Sequence, residues 1–148
     1  MSEKTIKELA VELTVEMTDL CDAIKAKSVY TNQLLRSCSS IGANAHEANY
    51  AQSRAYFINK LEISLKECYE TEYWLEILYK VRSLPEESYK DVSKNAERFA
   101  ANSSHRLRRR RITVLIQKNE SNVLTFHLMS KGILLWKRTK TLSLKIRR

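Results

Sequence analysis

The feature that most constrains this chain is a set of four segments in which apolar residues recur every three or four positions. This spacing matches the 3.6-residue period of the α-helix, so each segment predicts a helix with one apolar face. The stripes begin near Ile6, Leu34, Phe57 and Tyr89. Only two glycines and one proline occur in 148 residues, so few positions interrupt a helix. Four helices joined by short connections predict an all-α fold, an antiparallel up-down-up-down four-helix bundle.

Small residues dominate the second stripe, between Gln33 and Ala48. Gly42 lies in its middle, where it costs about 1 kcal/mol relative to alanine, so we expect a second helix to approach closely there. Polar residues interrupt the apolar stripes of this segment and the next, and buried polar groups need hydrogen-bonding partners. We therefore predict a structural polar network, with an acid–base pair as the less favoured alternative. Its members are Asn44, Glu47, Glu67 and Glu70.

Charge is distributed very unevenly along the chain. Residues 1–98 hold 13 basic and 16 acidic residues, a net charge of −3, whereas residues 99–148 hold 13 basic residues and the single acid Glu120, a net charge of +12. Such clustering favours a polyanionic partner, RNA or DNA, because lysine and arginine bind phosphates with release of counterions. A solvated tail is the open alternative. The predicted nucleic-acid contacts are Arg106, Arg108, Arg109, Arg110 and Arg111, with Arg36, Lys60 and Lys66 as weaker candidates.

The fourth stripe is interrupted after Phe99, where Ser103 to Arg106 replace the expected apolar residues. Residues 112–136 then contain short apolar and β-branched runs, which weakly indicate strands or a hairpin. We therefore predict a four-helix bundle over residues 1–105 and an atypical basic C-terminal extension, disordered or a weak hairpin, over residues 106–148. A genuine extension and a change of reading frame both remain open, the second slightly favoured by the joint loss of helical period and of acids.

Residue types that carry catalysis or bind metals do not form a recognisable pattern. A di-iron bundle needs Glu-x-x-His on two helices, but residues 1–98 contain no such motif, and His46 is the only histidine there. Cys21, Cys38 and Cys68 fall on apolar stripes without metal-ligand spacing, so we predict buried free thiols and a reducing cytoplasm. The N-terminus does not show the basic-then-apolar order of a signal peptide, and no apolar run approaches the length needed to span a membrane. We expect a non-enzymatic cytoplasmic protein without cofactor, metal or membrane.

Aromatic residues cluster on the third segment in excess of what one bundle core needs. An exposed aromatic patch commonly marks a protein interface, so homo-oligomerisation is the sharper prediction and core packing the alternative. The cluster consists of Tyr69, Tyr73, Trp74 and Tyr79.

A set of short motifs resembles one bacterial four-helix-bundle family. Its founding members are proteins encoded in intervening sequences of 23S rRNA genes. The similarity covers roughly residues 1–98. The motifs are Gln33–Ser37, Ser40–Asn44, Glu47–Ala48, Ser53, Phe57, Lys60–Leu61, Ser64–Glu67 and Glu70–Leu75.

This resemblance implies an antiparallel bundle that often assembles as a homopentamer. A related branch, the accessory proteins of diversity-generating retroelements, binds nucleic acid and a reverse transcriptase. The chain departs from the family beyond Phe99, where residues 100–148 match no part of the family's pattern. Two hypotheses follow: a nucleic-acid-associated oligomer, and a protein-interaction module such as a reverse-transcriptase accessory subunit.

Overall fold

The computed structural model describes residues 4–130, with the side chains of residues 114, 117, 118 and 120–130 left out of the description. Every regular element in this range is a helix, which confirms the predicted all-α fold. The elements are α1 (Ile6–Ala23), α2 (Ser28–Asn49), α3 (Arg54–Lys80) and α4 (Glu86–Ser130).

The helices pack as a four-helix bundle whose neighbours are joined by small polar side chains. The Cys38 thiol on α2 donates to the Leu13 carbonyl of α1, with Sγ and O 3.6 Å apart. Ser64 Oγ on α3 donates to the α2 carbonyl of Ile41 at 2.9 Å. Because each bond runs directly from a short side chain to a backbone carbonyl of the neighbouring helix, the two helices pack closely at these points. The largest fully buried apolar side chains are Leu13, Met17, Leu34, Ile41, Leu61, Leu75, Leu78 and Phe99.

Two further contacts attach α4 to the helices on either side of it. The Cys68 thiol of α3 donates to the Ala96 carbonyl, with Sγ and O 3.5 Å apart. Asn95 Nδ2 donates to both carboxylate oxygens of Glu16 on α1, at 3.0 and 2.9 Å. Each helix therefore contacts the next in the chain and α4 returns to α1, as an up-down-up-down connection requires.

Gly42 marks the close approach of α1 and α2 that its position predicts. A Cβ atom added there would lie 3.2 Å from Thr14 Oγ1, which is tighter than ordinary van der Waals contact. Thr14 Oγ1 itself donates to the Ala10 carbonyl at 2.9 Å. The hydroxyl is thus held in place, and glycine provides the space that it occupies.

The predicted interruption of the fourth helix after Phe99 is wrong. Helix α4 continues to Ser130, and its buried stripe extends through Ser103, which is fully buried, to Leu107, which is 6% exposed. Serine is small enough to fill a core position, so its polarity concealed the helical period. The strand or hairpin prediction is also wrong for residues 112–130, because short apolar runs cannot distinguish strand from helix. Residues 131–136 of that prediction lie outside the described range.

The chain divides into two compact units between Arg110 and Arg111. The first unit contains the four-helix core, including the buried side chain of Leu107. Among the described residues, no helix combines the length and the apolarity needed to cross a bilayer.

The three cysteines are free thiols, and Cys38 and Cys68 are fully buried as predicted, whereas Cys21 is only half-buried. Burial raises the pKa of Cys21 and of Cys38 to about 11, and that of Cys68 to about 12. All three are therefore protonated at neutral pH, and Cys38 and Cys68 pack in the core and donate weak hydrogen bonds.

Candidate nucleic-acid interface

Four arginines surround one buried leucine on α4. Arg106, Arg108, Arg109 and Arg110 are exposed, while Leu107 between them is buried. Leucine anchors this turn to the core, and successive residues of a helix point about 100° apart, so the arginines project around it. The result is a dense cationic surface on a rigid element. Arg111, the first residue of the second unit, is exposed as well.

Arg110 contacts the N-terminal turn of α3. Its guanidinium carbon lies 5.1 Å from the centroid of the Phe57 ring, within cation–π range. A guanidinium stacked in this way keeps its charge and its outward N–H donors. Arg110 therefore combines a packing role with a cationic surface, and it places the arginine cluster beside the start of α3.

Arg36, predicted as a weaker phosphate contact, lies between two carboxylates of α3. Its Nη2 contacts Glu70 Oε1, and its Nη1 lies 3.7 Å from Glu67 Oε2. Its Nε donates to Gln33 Oε1 at 3.0 Å, and Trp74 Nε1 donates to Glu70 Oε1 at 3.3 Å. The bond from the Arg36 guanidinium lowers the pKa of Glu70 and outweighs burial, which raises it; the Trp74 bond lowers the pKa by a smaller amount. Arg36 is thus engaged in linking α2 to α3.

Glu67 is the less completely satisfied of the two carboxylates. Its Oε2 is buried and accepts no hydrogen bond from the described residues. The 3.7 Å separation from Arg36 is an ion-pair distance but exceeds hydrogen-bonding range. Glu67 therefore interacts with the guanidinium through charge alone.

Lys60 is also paired with a carboxylate. Its Nζ lies 2.7 Å from Glu47 Oε2, and Tyr56 Oη donates to the same oxygen at 2.9 Å. The Lys60 bond, and then the Tyr56 bond, lower the pKa of Glu47, while Glu47 raises the pKa of Lys60. By contrast, Lys66 is exposed and forms no ion pair with a described carboxylate.

The four residues predicted as one polar network lie in separate places. Glu67 and Glu70 share Arg36, whereas Glu47 pairs with Lys60. The amide of Asn44 donates within α2, to the carbonyl and hydroxyl oxygens of Ser40 at 2.9 and 3.3 Å.

The aromatic residues of α3 divide into exposed and packed pairs. Tyr69 and Tyr73 are 53% and 54% exposed. Trp74 is half-buried against Tyr30, with ring centroids 6.3 Å apart. The rings of Tyr79 and Tyr89 stack at 4.5 Å, which joins the end of α3 to the start of α4.

A cleft at the α2–α3 connection escaped the sequence reasoning. It has a volume of about 690 Å³ and contains two exposed rings, Tyr50 at 66% and Tyr56 at 44%. The signal in the sequence that could have revealed this cleft is the pair of tyrosines on either side of a short interhelical connection. Its lining residues are His46, Glu47, Tyr50, Gln52, Ser53 and Tyr56.

The four packed helices and their ring of contacts define this chain as a four-helix-bundle protein. It belongs to the 23S rRNA-intervening sequence protein family, whose sequence profile matches residues 3–104. The resemblance carried by the motifs of α2 and α3 is thereby confirmed.

A solved structure with the same fold is a protein with unknown function from the S23 ribosomal protein family of Bacteroides thetaiotaomicron VPI-5482. It is 38% identical to this chain with a TM-score of 0.66, and the match covers 70% of this chain and 95% of that one. No curated protein matches the chain.

Proposed function

We propose that this protein is a non-enzymatic, oligomeric bundle that binds nucleic acid through the arginine cluster of α4. The observation that carries the proposal is the exposure of Arg106, Arg108, Arg109 and Arg110 around the buried Leu107. Guanidinium groups suit phosphate recognition because they are always charged and offer several donors. The family name, 23S rRNA-intervening sequence protein, supports RNA as the polyanion.

The titratable groups of the bundle support binding rather than catalysis. The pKa values of Glu47 and Glu70 are lowered by their cationic partners, so both act as ionised counter-ions rather than as proton donors. The thiols have raised pKa values and hence lack nucleophilic character at neutral pH. Free cysteines also fit a reducing compartment, which supports a cytoplasmic location.

Exposed apolar side chains on two different helices support self-association. Val11 and Val15 of α1 are 53% and 55% exposed, and Tyr69 and Tyr73 of α3 are exposed to a similar extent. Two unlike patches on one protomer can join head to tail, and such heterologous contacts form a ring when the rotation between neighbours closes. We infer a cyclic homo-oligomer, and the family resemblance makes a pentamer the expected size.

Binding of nuclease-treated full-length protein to fluorescent single-stranded RNA, followed by anisotropy across a salt series, tests the proposal. We expect the logarithm of the association constant to fall linearly with the logarithm of salt. Replacing Arg106 and Arg108 together by alanine should reduce that slope by about 2. The control replaces Lys94 and Arg98, two exposed cations farther toward the N-terminus of α4, by alanine. Salt-independent binding, or no binding at low salt, would refute the proposal.

The exposed Tyr69 and Tyr73 also favour a second candidate, a protein-interaction module such as a reverse-transcriptase accessory subunit. A reverse transcriptase encoded beside this gene should then co-purify with the protein after nuclease treatment. Replacing both tyrosines by alanine should abolish that complex, whereas the Arg106 and Arg108 variant should retain it. Loss of the complex on nuclease treatment would show that nucleic acid, not protein contact, joins the two.

A further inference from the structure

The cleft at the α2–α3 connection combines exposed aromatic rings with paired charges. Tyr50 is the most exposed of the large apolar residues described, and the ring of His46 lies 5.0 Å from its centroid. Lys7 Nζ of α1 lies 5.8 Å from the Tyr50 ring, and Lys60 Nζ lies 5.6 Å from the Tyr56 ring. Rings presented beside cations are the elements with which proteins bind single-stranded nucleic acid, by stacking bases and attracting phosphates.

A fixed carboxylate in the cleft adds a polar determinant. Glu47 lines it with a side chain that is 47% exposed. Tyr56 and Lys60 both bind Oε2, and neither contact uses Oε1. The carboxylate is therefore oriented by two partners on Oε2, while the two acceptor sites of Oε1 remain for incoming donors.

An ionised carboxylate only accepts hydrogen bonds, which limits the bases that it can bind well. Guanine presents two adjacent donors, N1–H and the N2 amino group, on its Watson–Crick edge. Adenine and cytosine present a donor next to an acceptor, and uracil presents one donor between two acceptors. A carboxylate beside stacking rings therefore matches guanine best among the four bases.

The cleft lies at the end of the first unit that carries the arginine cluster. Tyr56 of the cleft adjoins Phe57, and the Phe57 ring contacts Arg110 of α4 at 5.1 Å. The cleft and the arginine cluster therefore lie at the same end of this unit, where one strand could contact both.

We propose that this cleft is a base-binding site for single-stranded RNA, in which a guanine stacks on Tyr50 and donates to Glu47. The inference rests on the proposed nucleic-acid binding and names the element that would give it sequence preference. Phosphate contacts by arginine cannot provide this preference, because they do not depend on sequence.

The test measures binding of two RNA heptamers, UUUGUUU and UUUAUUU, to nuclease-treated full-length protein by fluorescence anisotropy at low salt. We expect the guanine heptamer to bind about 10-fold more tightly. Tyr50→Ala should weaken its binding about 10-fold through lost stacking. Glu47→Gln should abolish the preference for guanine.

Matched controls separate recognition from folding. Val29→Ala removes an apolar side chain of similar exposure from α2, and Glu76→Gln breaks an exposed ion pair between Glu76 and Lys80 on α3. Both controls should leave the affinity and the preference unchanged, and circular dichroism should show equal helicity in all variants.

Equal affinity for the two heptamers, or unchanged binding by Tyr50→Ala, would overturn the cleft proposal. If the Arg106 and Arg108 variant still weakened binding in that case, the proposed nucleic-acid function would stand without the cleft. If neither heptamer bound at low salt, both proposals would fall together.

Discussion

Ser103→Ala should stabilise the protein, although it removes a polar group from the middle of a helix. Ser103 is fully buried, and its Oγ has no hydrogen-bonding partner among the described residues. Leaving a buried hydroxyl unsatisfied costs about 1–3 kcal/mol. Alanine fits the same space and has a higher helix propensity, by about 0.5 kcal/mol.

Together these effects predict a gain of about 1.5–3.5 kcal/mol in the free energy of unfolding. For a chain of this length, about 3 °C per kcal/mol corresponds to a rise of about 5–10 °C in melting temperature. Differential scanning calorimetry at a fixed protein concentration measures that rise, because the melting of an oligomer depends on concentration.

Ser104→Ala provides the matched control, because Ser104 is exposed on the next position of the same helix. Its substitution changes helix propensity alone and should raise the melting temperature by about 2 °C or less. If the two variants melted together, or if Ser103→Ala were the less stable, Ser103 would not lie in the core. The continuation of α4 beyond Phe99 would then be refuted.

Three further substitutions test a close helix contact, a backbone conformation and a buried charge. Gly42→Ala should leave the stability nearly unchanged, because the added methyl group presses on Thr14 Oγ1. In a Thr14→Ala background the same substitution should stabilise the protein by about 1 kcal/mol through helix propensity. A double-mutant cycle of melting curves measures the difference. Arg82 has a φ of 57° at the end of α3, so Arg82→Gly should stabilise by about 1 kcal/mol in urea unfolding. Burial first, and the charge of Glu97 second, raise the pKa of Glu72, so the charged form opposes folding above that pKa. Glu72→Gln should therefore raise the melting temperature at pH 7. The gain should vanish below pH 4.5, where Glu72 is protonated in both the folded and the unfolded state. A constant gain across pH would contradict this reasoning.

Carboxylates that pair with basic residues contribute to stability with the opposite pH dependence. Arg36 lowers the pKa of Glu70, so this pair stabilises the fold above the ordinary carboxyl pKa of 4.5 and loses its effect as pH falls through the lowered value. Thermal melts from pH 7 to pH 3 should show this loss, and Arg36→Ala should reduce it. An identical pH profile in that variant would show that the pair does not contribute.

The bundle itself was predictable because its signal is periodic and local. The stripes that begin at Ile6, Leu34 and Phe57 became α1, α2 and α3, and Gly42 lies where two helices approach. The error over α4 has a physical cause as well. A buried serine is compatible with a helix interface but appears polar in a pattern of hydrophobicity, so Ser103 was interpreted as an interruption.

The candidate site was predictable in part. Sequence alone determined the excess of positive charge after Phe99 and the fold that the family motifs imply. Only the tertiary structure decided which cations face carboxylates, because Arg36 and Glu70, or Lys60 and Glu47, meet across helices that sequence patterns do not orient. It also brought Tyr50 and Tyr56 around one cleft. Helical period is a property of neighbouring residues, whereas ion pairs and clefts arise where separate helices meet, and that depends on how the whole core packs.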